Sequence, residues 1–332
     1  MVEHGAYASL RRAVSDAGLL DRDYADYAWR GGVSLAILLV GLTLAAVAPP
    51  SAAMLLVAAA IIAFGSVQVA LIGHDAGHLA VFGNRRLNHA LGSACWSLLL
   101  GISFWYWSDR HNRHHGATND AAADPDLQWA SVIAYSEVLL AGTPRRWTWL
   151  TRHQAIIGPA YALLLPFAFR LEGWHFALRE LSGPRRVVDL ALLMLSTLAW
   201  LLPAAQFGVW WLAVFVTSQI LAGLYLSLAI APNHVGMRIW PAGTPLTFLE
   251  RQVLSSRNVA PGPIWDFVFG GLNYQIEHHL FPTMPRRHLA GARSLVKPFC
   301  RAHGLPYTEL GAFASYRLVL AELQRVGRAA RA

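Results

Sequence analysis

Three short histidine clusters carry most of the chemistry this chain can do: HDAGH at 74–78, HNRHH at 111–115 and QIEHH at 275–279. Each stands beside a long apolar stretch, so imidazoles are gathered at a membrane surface. A histidine in or near a bilayer is costly unless it is paired, protonated or bound to metal, and clustering there marks function. His74 and His78 are spaced i, i+4, as are His111 and His115. On a helix that spacing sets both rings on one face. His114 next to His115 lets the second cluster reach in two directions. The pattern is that of a metal site.

The number of ligands narrows the metal. Structural zinc takes four ligands, and catalytic zinc takes three plus water. The clusters supply seven imidazoles (His74, His78, His111, His114, His115, His278 and His279), and His234, in PNHVG just after a long apolar run, makes an eighth. Eight overfill one zinc and suit two ions with about four nitrogens each. Imidazole serves zinc, copper, iron and nickel alike, and Cys95 and Cys300 are too far apart in sequence to suggest a thiolate site. The residues alone leave a dinuclear iron or a dinuclear zinc centre open. Ligating rings need acceptors behind them, commonly carboxylates. Asp75, Asp109, Asp120, Asp124, Asp126 and Glu277 stand within a few residues of the boxes, with Asn119 and Asn273 as further hydrogen bonders. His89, His153, His175, His288 and His303 have no partner at metal spacing.

HDAGH, HNRHH followed by GATNDAAADPD, and NYQIEHHLFP resemble, in letters, order and spacing, the membrane fatty acid desaturase family over roughly residues 73–282. The resemblance implies an oxidoreductase that introduces a C=C bond into a fatty acyl chain with O2 and two iron ions (Fe2+/Fe3+). Taking hydrogen from an unactivated methylene needs an oxidant stronger than any side chain, which two ferrous ions supply with dioxygen. Histidine ligands hold iron without the negative charge that carboxylates bring to soluble di-iron bundles. Gln275 stands where the family has the first histidine of the third box. That substitution resembles the front-end branch, which acts near the carboxyl end of the acyl chain. Gln275 is then expected either to ligate, to hold a bridging water or to orient its neighbour. Family members with a fused haem domain carry HPGG. That motif does not occur here, so electrons are expected from a separate donor such as ferredoxin with its reductase. The acyl group is expected on coenzyme A, on acyl carrier protein or on a lipid. An acyl hydroxylase, epoxygenase or acetylenase shares the same chemistry. A zinc-dependent membrane hydrolase of amide or ester bonds is the alternative from another class. A non-catalytic metal or haem carrier would need histidines paired inside the bilayer, and the boxes read as lying just outside the spans.

The elements that must position these groups follow from composition and hydropathy. The chain is 55% hydrophobic and 14% charged, with a mean hydropathy of +0.38, values of an integral membrane protein rather than a soluble domain. Two isolated cysteines argue against a disulfide framework. The charged, amphipathic start (Leu10, Arg11, Arg12, Asp16, Asp21) does not read as a cleavable signal peptide. Spans are predicted at 31–48, 52–72, 187–205 and 208–231. A shorter apolar stretch at 155–169 contains Gly158, Pro159 and Pro166. It is read as interfacial or re-entrant, because a fifth crossing would put His234 on the wrong side. The run at 91–107 must likewise return to its starting side.

Arg85, Arg86, Arg110, Arg113, Arg145, Arg146, Arg152, Arg185 and Arg186 all fall on the histidine side, which the positive-inside rule makes cytoplasmic. The expected architecture is therefore an all-α integral membrane protein of four transmembrane helices in two hairpins. Interfacial or re-entrant helices and a cytoplasmic helical cap holding the dinuclear metal site complete it. Residues 1–30 form an N-terminal amphipathic segment, 31–238 the membrane core and 239–332 the cap with the third box. Within the cap, 313–323 reads as an amphipathic helix with Tyr316, Val319, Leu320 and Leu323 inward and Arg317 and Arg325 in water. Arginine and alanine richness points to a bacterial inner membrane, with both termini cytoplasmic. Trp96, Phe104, Trp105, Tyr106 and Trp107 crowd the second box. They read equally as the wall of an acyl tunnel or as an interfacial aromatic belt. The net charge of +8 is spread along membrane flanks, which disfavours nucleic acid and suits a phosphate, a lipid headgroup or an acidic donor protein.

Overall fold

The computed structural model of this chain describes residues 5–127, 133–140, 143–144, 147–259 and 261–330. Arg145 and Arg146 lie outside the described residues. The described residues are helical almost throughout, and two short strands among them, Asn258–Val259 and Glu309–Leu310, pair in parallel. The chain divides into two compact units. One, here the hairpin unit, comprises Arg22–Asp109 and Tyr161–Ser227. The other, the histidine unit, draws on Met1–Asp21, Arg110–Ala160 and Leu228–Ala332.

Among the described residues, four helices are long and apolar enough to cross a membrane: Tyr24–Val47, Ala52–Gly77, Gly183–Phe207 and Val209–His234. At 24 to 26 residues they are about 36–39 Å long, more than the ~30 Å hydrocarbon core. This is the all-α membrane architecture expected from hydropathy, with longer helices. The apolar runs predicted at 31–48, 52–72, 187–205 and 208–231 extend at their polar ends, because a bilayer limits hydropathy and not backbone hydrogen bonding. Asp23 caps the first helix by accepting from the Asp26 N–H at 3.0 Å, and Ser51 caps the second by accepting from Met54 at 3.1 Å. The second helix runs through His74 to Gly77, and the fourth ends on His234 itself. The boxes were expected just outside the spans; instead these two histidines occupy the last turns of spanning helices.

The first hairpin is tight because small residues sit where its helices cross. A Cβ on Gly41 would lie 2.7 Å from Ile62, and one on Gly65 would lie 2.7 Å from the Leu38 backbone. Gly208, at φ +60°, makes the turn between Gly183–Phe207 and Val209–His234. The Trp210 indole donates to the Ala45 carbonyl at 2.9 Å, which ties the second hairpin to the first. The stretch expected to re-enter at 155–169 is two helices, Gln154–Ala162 and Leu165–Arg179, bent by 62°. The run at 91–107 bends by 116° between Arg85–Leu99 and Phe104–Gly116. Asp189, buried in the third spanning helix, holds that second bend by accepting from Ser97 Oγ at 2.5 Å and Ser103 Oγ at 2.6 Å.

In the histidine unit, the helix Ala6–Asp16 buries Ala6, Leu10 and Val14 in one cluster with Leu289, Ala292 and Val296 of the helix Leu289–Ala302. The helix Phe248–Ser255 begins with a capping box between Thr247 and Glu250. The C-terminal amphipathic helix spans Ala312–Ala329, and its buried line is Ala312, Ser315, Leu323 and Val326. Leu320, expected inward, is 43% exposed. The buried stripe is set by contact with neighbouring helices and is displaced from the most apolar face.

Candidate metal centre

The second box lies on the helix Phe104–Gly116. Its i, i+4 spacing brings the rings of His111 and His115 to 4.6 Å between centroids, with their Nε2 atoms 3.2 Å apart. The third box forms the short buried helix Gln275–Leu280. So short a helix needs outside support, and Asn258 gives it by accepting from the Ile276 N–H at 2.8 Å. That helix sets His278 Nε2 3.1 Å from His115 Nε2. His111, His115 and His278 thus gather three Nε2 atoms in one place.

Beside them is a second gathering. One ring nitrogen each of His114, His234 and His279 lies within 4.8 Å of the other two. What stands behind each ring fixes which nitrogen faces inward. The Nδ1–H of His114 donates to Asp124 at 2.9 Å. That of His234 donates to the Ser255 carbonyl at 2.9 Å. That of His279 donates to Gln252 Oε1 at 2.9 Å. Each ring therefore carries its proton on Nδ1 and turns a lone pair on Nε2 toward the common point, the tautomer a metal needs. The rings of His115 and His279 stack at 4.1 Å and 13°, so the two nitrogen clusters abut through one ring pair. Six imidazoles stand in two abutting sets, with a proton acceptor behind each of the second three, an arrangement that could hold metal.

Electrostatics at the second cluster are set by carboxylates. Burial works to lower the His114 pKa, but Asp126 and Asp124 outweigh it and the ring is held above the ordinary imidazole value. A proton is then the competitor a metal must displace. The first box belongs to the hairpin unit. His74 Nδ1 lies 2.9 Å from Asp75 Oδ1, and Asp75 accepts from the Tyr27 hydroxyl at 2.7 Å. The rings of His74 and His78 are 4.7 Å apart, with Trp107 at their edges.

The remaining expected residues divide by what they touch. Asp75 and Asp124 stand behind rings. Asp126 lies 3.5 Å from His114 Nδ1 and pairs with Arg110 at 3.0 Å. Asp120 does not orient a ring: it accepts from the Ala122 and Ala123 amides at 3.1 Å and so builds the turn after the second box. Glu277 also does not reach a box ring. Its buried carboxylate accepts from Asn258 Nδ2 and Tyr307 OH, each at 2.7 Å, and burial, opposed by those two donors, pushes its pKa up to about 7. Asp109 is exposed on the second-box helix. Asn119, at φ +55°, donates its amide N–H to Asp124 at 2.8 Å and its side chain to the Arg238 carbonyl at 3.1 Å. Asn273 donates to Asp266 at 2.7 Å. Gln275 accepts from Asn233 at 3.0 Å and directs its NH2 to His234 Nε2 at 2.9 Å. In this arrangement the amide meets the Nε2 lone pair of His234, so a metal held by His234 would require the Gln275 amide to turn away.

Several positioning groups carry no motif. Gln252, 1% exposed, accepts from His279 and from Thr118 Oγ and donates to the His115 carbonyl, the last two at 2.9 Å. It bolts the second box to the third. Ser255 and Asn258 act through a backbone carbonyl and a helix cap, and Tyr27 acts on Asp75 from about fifty residues away. Only a three-dimensional structure brings these to the boxes.

Residues 21–311 match the family model for fatty acid desaturase. The chain is 29% identical to the Delta(6)-fatty-acid desaturase fat-3 of Caenorhabditis elegans over 98% of its own length and 75% of that protein. It is 28% identical to the Delta(8)-fatty-acid desaturase of Euglena gracilis, covering 91% of this chain and 74% of the other. Against the acyl-lipid (9-3)-desaturase of Physcomitrium patens the identity is 28%, over 79% of this chain and about half (51%) of the moss protein.

Proposed function

Because the chain belongs to the fatty acid desaturase family, we propose that it is an oxygen-dependent fatty acyl desaturase whose box histidines hold two iron ions. The observation that carries this reading is the set of three Nδ1–H groups fixed on Asp124, the Ser255 carbonyl and Gln252, which leaves His114, His234 and His279 facing one point through Nε2. The neighbouring Nε2 atoms of His111, His115 and His278 provide for the second ion. His74 and His78 enter on their ring spacing, the Asp75 acceptor and their place in the family motif. Bound iron and dioxygen supply an oxidant able to remove hydrogen from two adjacent unactivated methylenes. The protein's own part is to fix the rings, exclude water and hold the acyl chain still.

The acyl chain lies in the bilayer or its interface, and electrons come from a separate protein such as ferredoxin. Gln275 in the third box, together with relatives named for Delta(6) and Delta(8) positions, supports action near the carboxyl end. The arginines flanking the spans support a cytoplasmic histidine side, in the inner membrane if the source is bacterial.

The test is metal analysis of protein purified in mild detergent from iron-replete cells, paired with lipid profiling when a reductase is supplied. Two irons per chain, lost in His111→Ala and His278→Ala, and a new double bond that requires oxygen are the expected results. A single zinc with full activity in the absence of oxygen overturns the proposal. A hydroxylated acyl product in place of an alkene moves the enzyme to the sister chemistry.

A further inference from the structure

One group of side chains in the hairpin unit contains none of the candidate metal ligands. Arg85, Arg86, Arg185 and Arg186 are all exposed, and none forms an ion pair among the described residues. Arg85 and Arg185 come from segments a hundred residues apart, yet they meet through His89 and Trp105. Arg185 places its guanidinium 4.7 Å above the Trp105 ring. The His89 ring meets the same indole edge-on at 4.9 Å, and Arg85 Nε lies 3.5 Å from His89 Nε2. Burial and the fields of Arg85 and Arg185 hold His89 below the ordinary imidazole range, so it stands neutral among the cations.

The placement is electrostatically unfavourable for the protein alone. Arg85 opens the helix Arg85–Ser93, and Arg185 and Arg186 lie in the first turn of Gly183–Phe207. Helix N-termini favour anions, and here they carry cations. The Ser182 side chain makes no capping bond to the longer helix, so its first-turn N–H groups lack that partner. Arginines that merely set topology need to lie on the correct side of the membrane; they need not converge on one indole and one imidazole. A guanidinium fork, a neutral imidazole and an indole at the end of a spanning helix are groups suited to a phosphodiester at headgroup depth.

We propose that Arg85, His89, Trp105 and Arg185 form a seat for the phosphodiester of an anionic membrane phospholipid. The seat lies in the hairpin unit, uses no metal ligand and holds whatever the catalytic reaction proves to be. The uncompensated charge selects lipids of net negative charge over zwitterionic ones.

The experiment is native mass spectrometry of the full chain in detergent, titrated with phosphatidylglycerol or phosphatidylcholine. Wild-type protein is expected to retain phosphatidylglycerol selectively. Affinity is expected to fall by roughly five-fold for each arginine removed in Arg85→Gln and Arg185→Gln. Arg85→Lys/Arg185→Lys keeps the charge and is expected to recover part of the loss. Arg11→Gln/Arg12→Gln, on an exposed face of the N-terminal helix, is expected to change nothing. Equal retention of the two lipids, or an equal loss in the Arg11/Arg12 control, refutes the seat. Full displacement of the lipid by millimolar inorganic phosphate also refutes it, since the occupant would then be a free anion.

Discussion

Gln252→Leu isolates the part played by one buried amide in holding the metal centre. The side chain is similar in size and the site is closed to water, so the change removes hydrogen bonds with little change in volume. Three groups lose a partner: the Nδ1–H of His279, 2.9 Å from Oε1, the carbonyl of His115, 2.9 Å from Nε2, and the Thr118 hydroxyl, 2.9 Å from Oε1, which keeps the His114 carbonyl at 3.0 Å. Thr118 Oγ is 3.2 Å from the same His279 nitrogen and can take over that proton, whereas its 3.5 Å distance leaves the His115 carbonyl poorly served. One orphaned group, not three, sets the stability cost at about 1–3 kcal/mol. The cost to the metal is separate. Loss of the acceptor behind a ligating histidine weakens binding about 10–100-fold. Chelator competition followed by iron analysis reads the affinity, and thermal unfolding of the metal-free protein in detergent reads the stability. Gln252→Glu keeps an acceptor behind His279 while losing the donor to His115, so it is expected to bind iron nearly as wild type yet unfold earlier. A folded Gln252→Leu protein that binds iron with wild-type affinity refutes the argument that this amide sets the His279 tautomer.

Other perturbations test neighbouring parts of the same reasoning. Asp124→Ala, which strips the acceptor from His114, is expected to weaken iron about 10–100-fold, while Asp120→Ala, which only opens a turn, leaves affinity within a few-fold by the same chelator assay. Gly77→Ala is expected to destabilise the protein by about 1–3 kcal/mol by thermal unfolding, because its Cβ would fall 2.4 Å from Trp107; an ordinary helical Gly→Ala change goes the other way by up to ~1 kcal/mol. The Arg293 hydrogen bonds, with Lys297 adding to them and partial burial opposing, lower the Glu309 pKa to about 2. Its folded value lies below its unfolded one, so the stability it contributes is present above the ordinary carboxylate range and is lost as pH falls toward 2. The wild-type advantage over Glu309→Gln in acid unfolding should therefore vanish across that window.

Much of this centre was legible from residues, for identifiable reasons. Spacing alone paired His111 with His115 and His74 with His78, because a helix repeats its faces every three to four residues. Hydropathy found all four spans, since a lipid-facing helix must be apolar along its length. It misplaced their ends, which are set by caps such as Asp23 and by continuation of the backbone ladder through His74 and His234. Proximity in sequence suggested Asp75 and Asp124, which lie 2.9 Å from the Nδ1 atoms of His74 and His114, and equally Asp120 and Glu277, whose carboxylates face backbone amides and Asn258. The groups that went unseen, Gln252, Ser255, Thr118 and Tyr27, act across long loops of chain, and nothing in their type distinguishes them from ordinary core polar residues.

If the box histidines hold two iron ions as proposed, the make-up of the histidine unit from three stretches of chain governs when they can be loaded. His115 and His278 face each other across 163 residues, and the Tyr7 hydroxyl rests on the Leu280 carbonyl across 273. During synthesis at about 5–20 residues per second, the second box waits roughly ten to thirty seconds for the third. Throughout that interval His111, His114 and His115 form an incomplete chelate, open to whichever divalent ion is most avid, and by the usual order of affinities copper and zinc outrank iron. On the two-iron proposal, correct loading is therefore expected to be a late event that depends on the final third of the chain. Ribosome-stalled chains ending before residue 275 should pick up zinc or copper in preference to iron, and cells rich in those metals should yield folded but mismetallated enzyme.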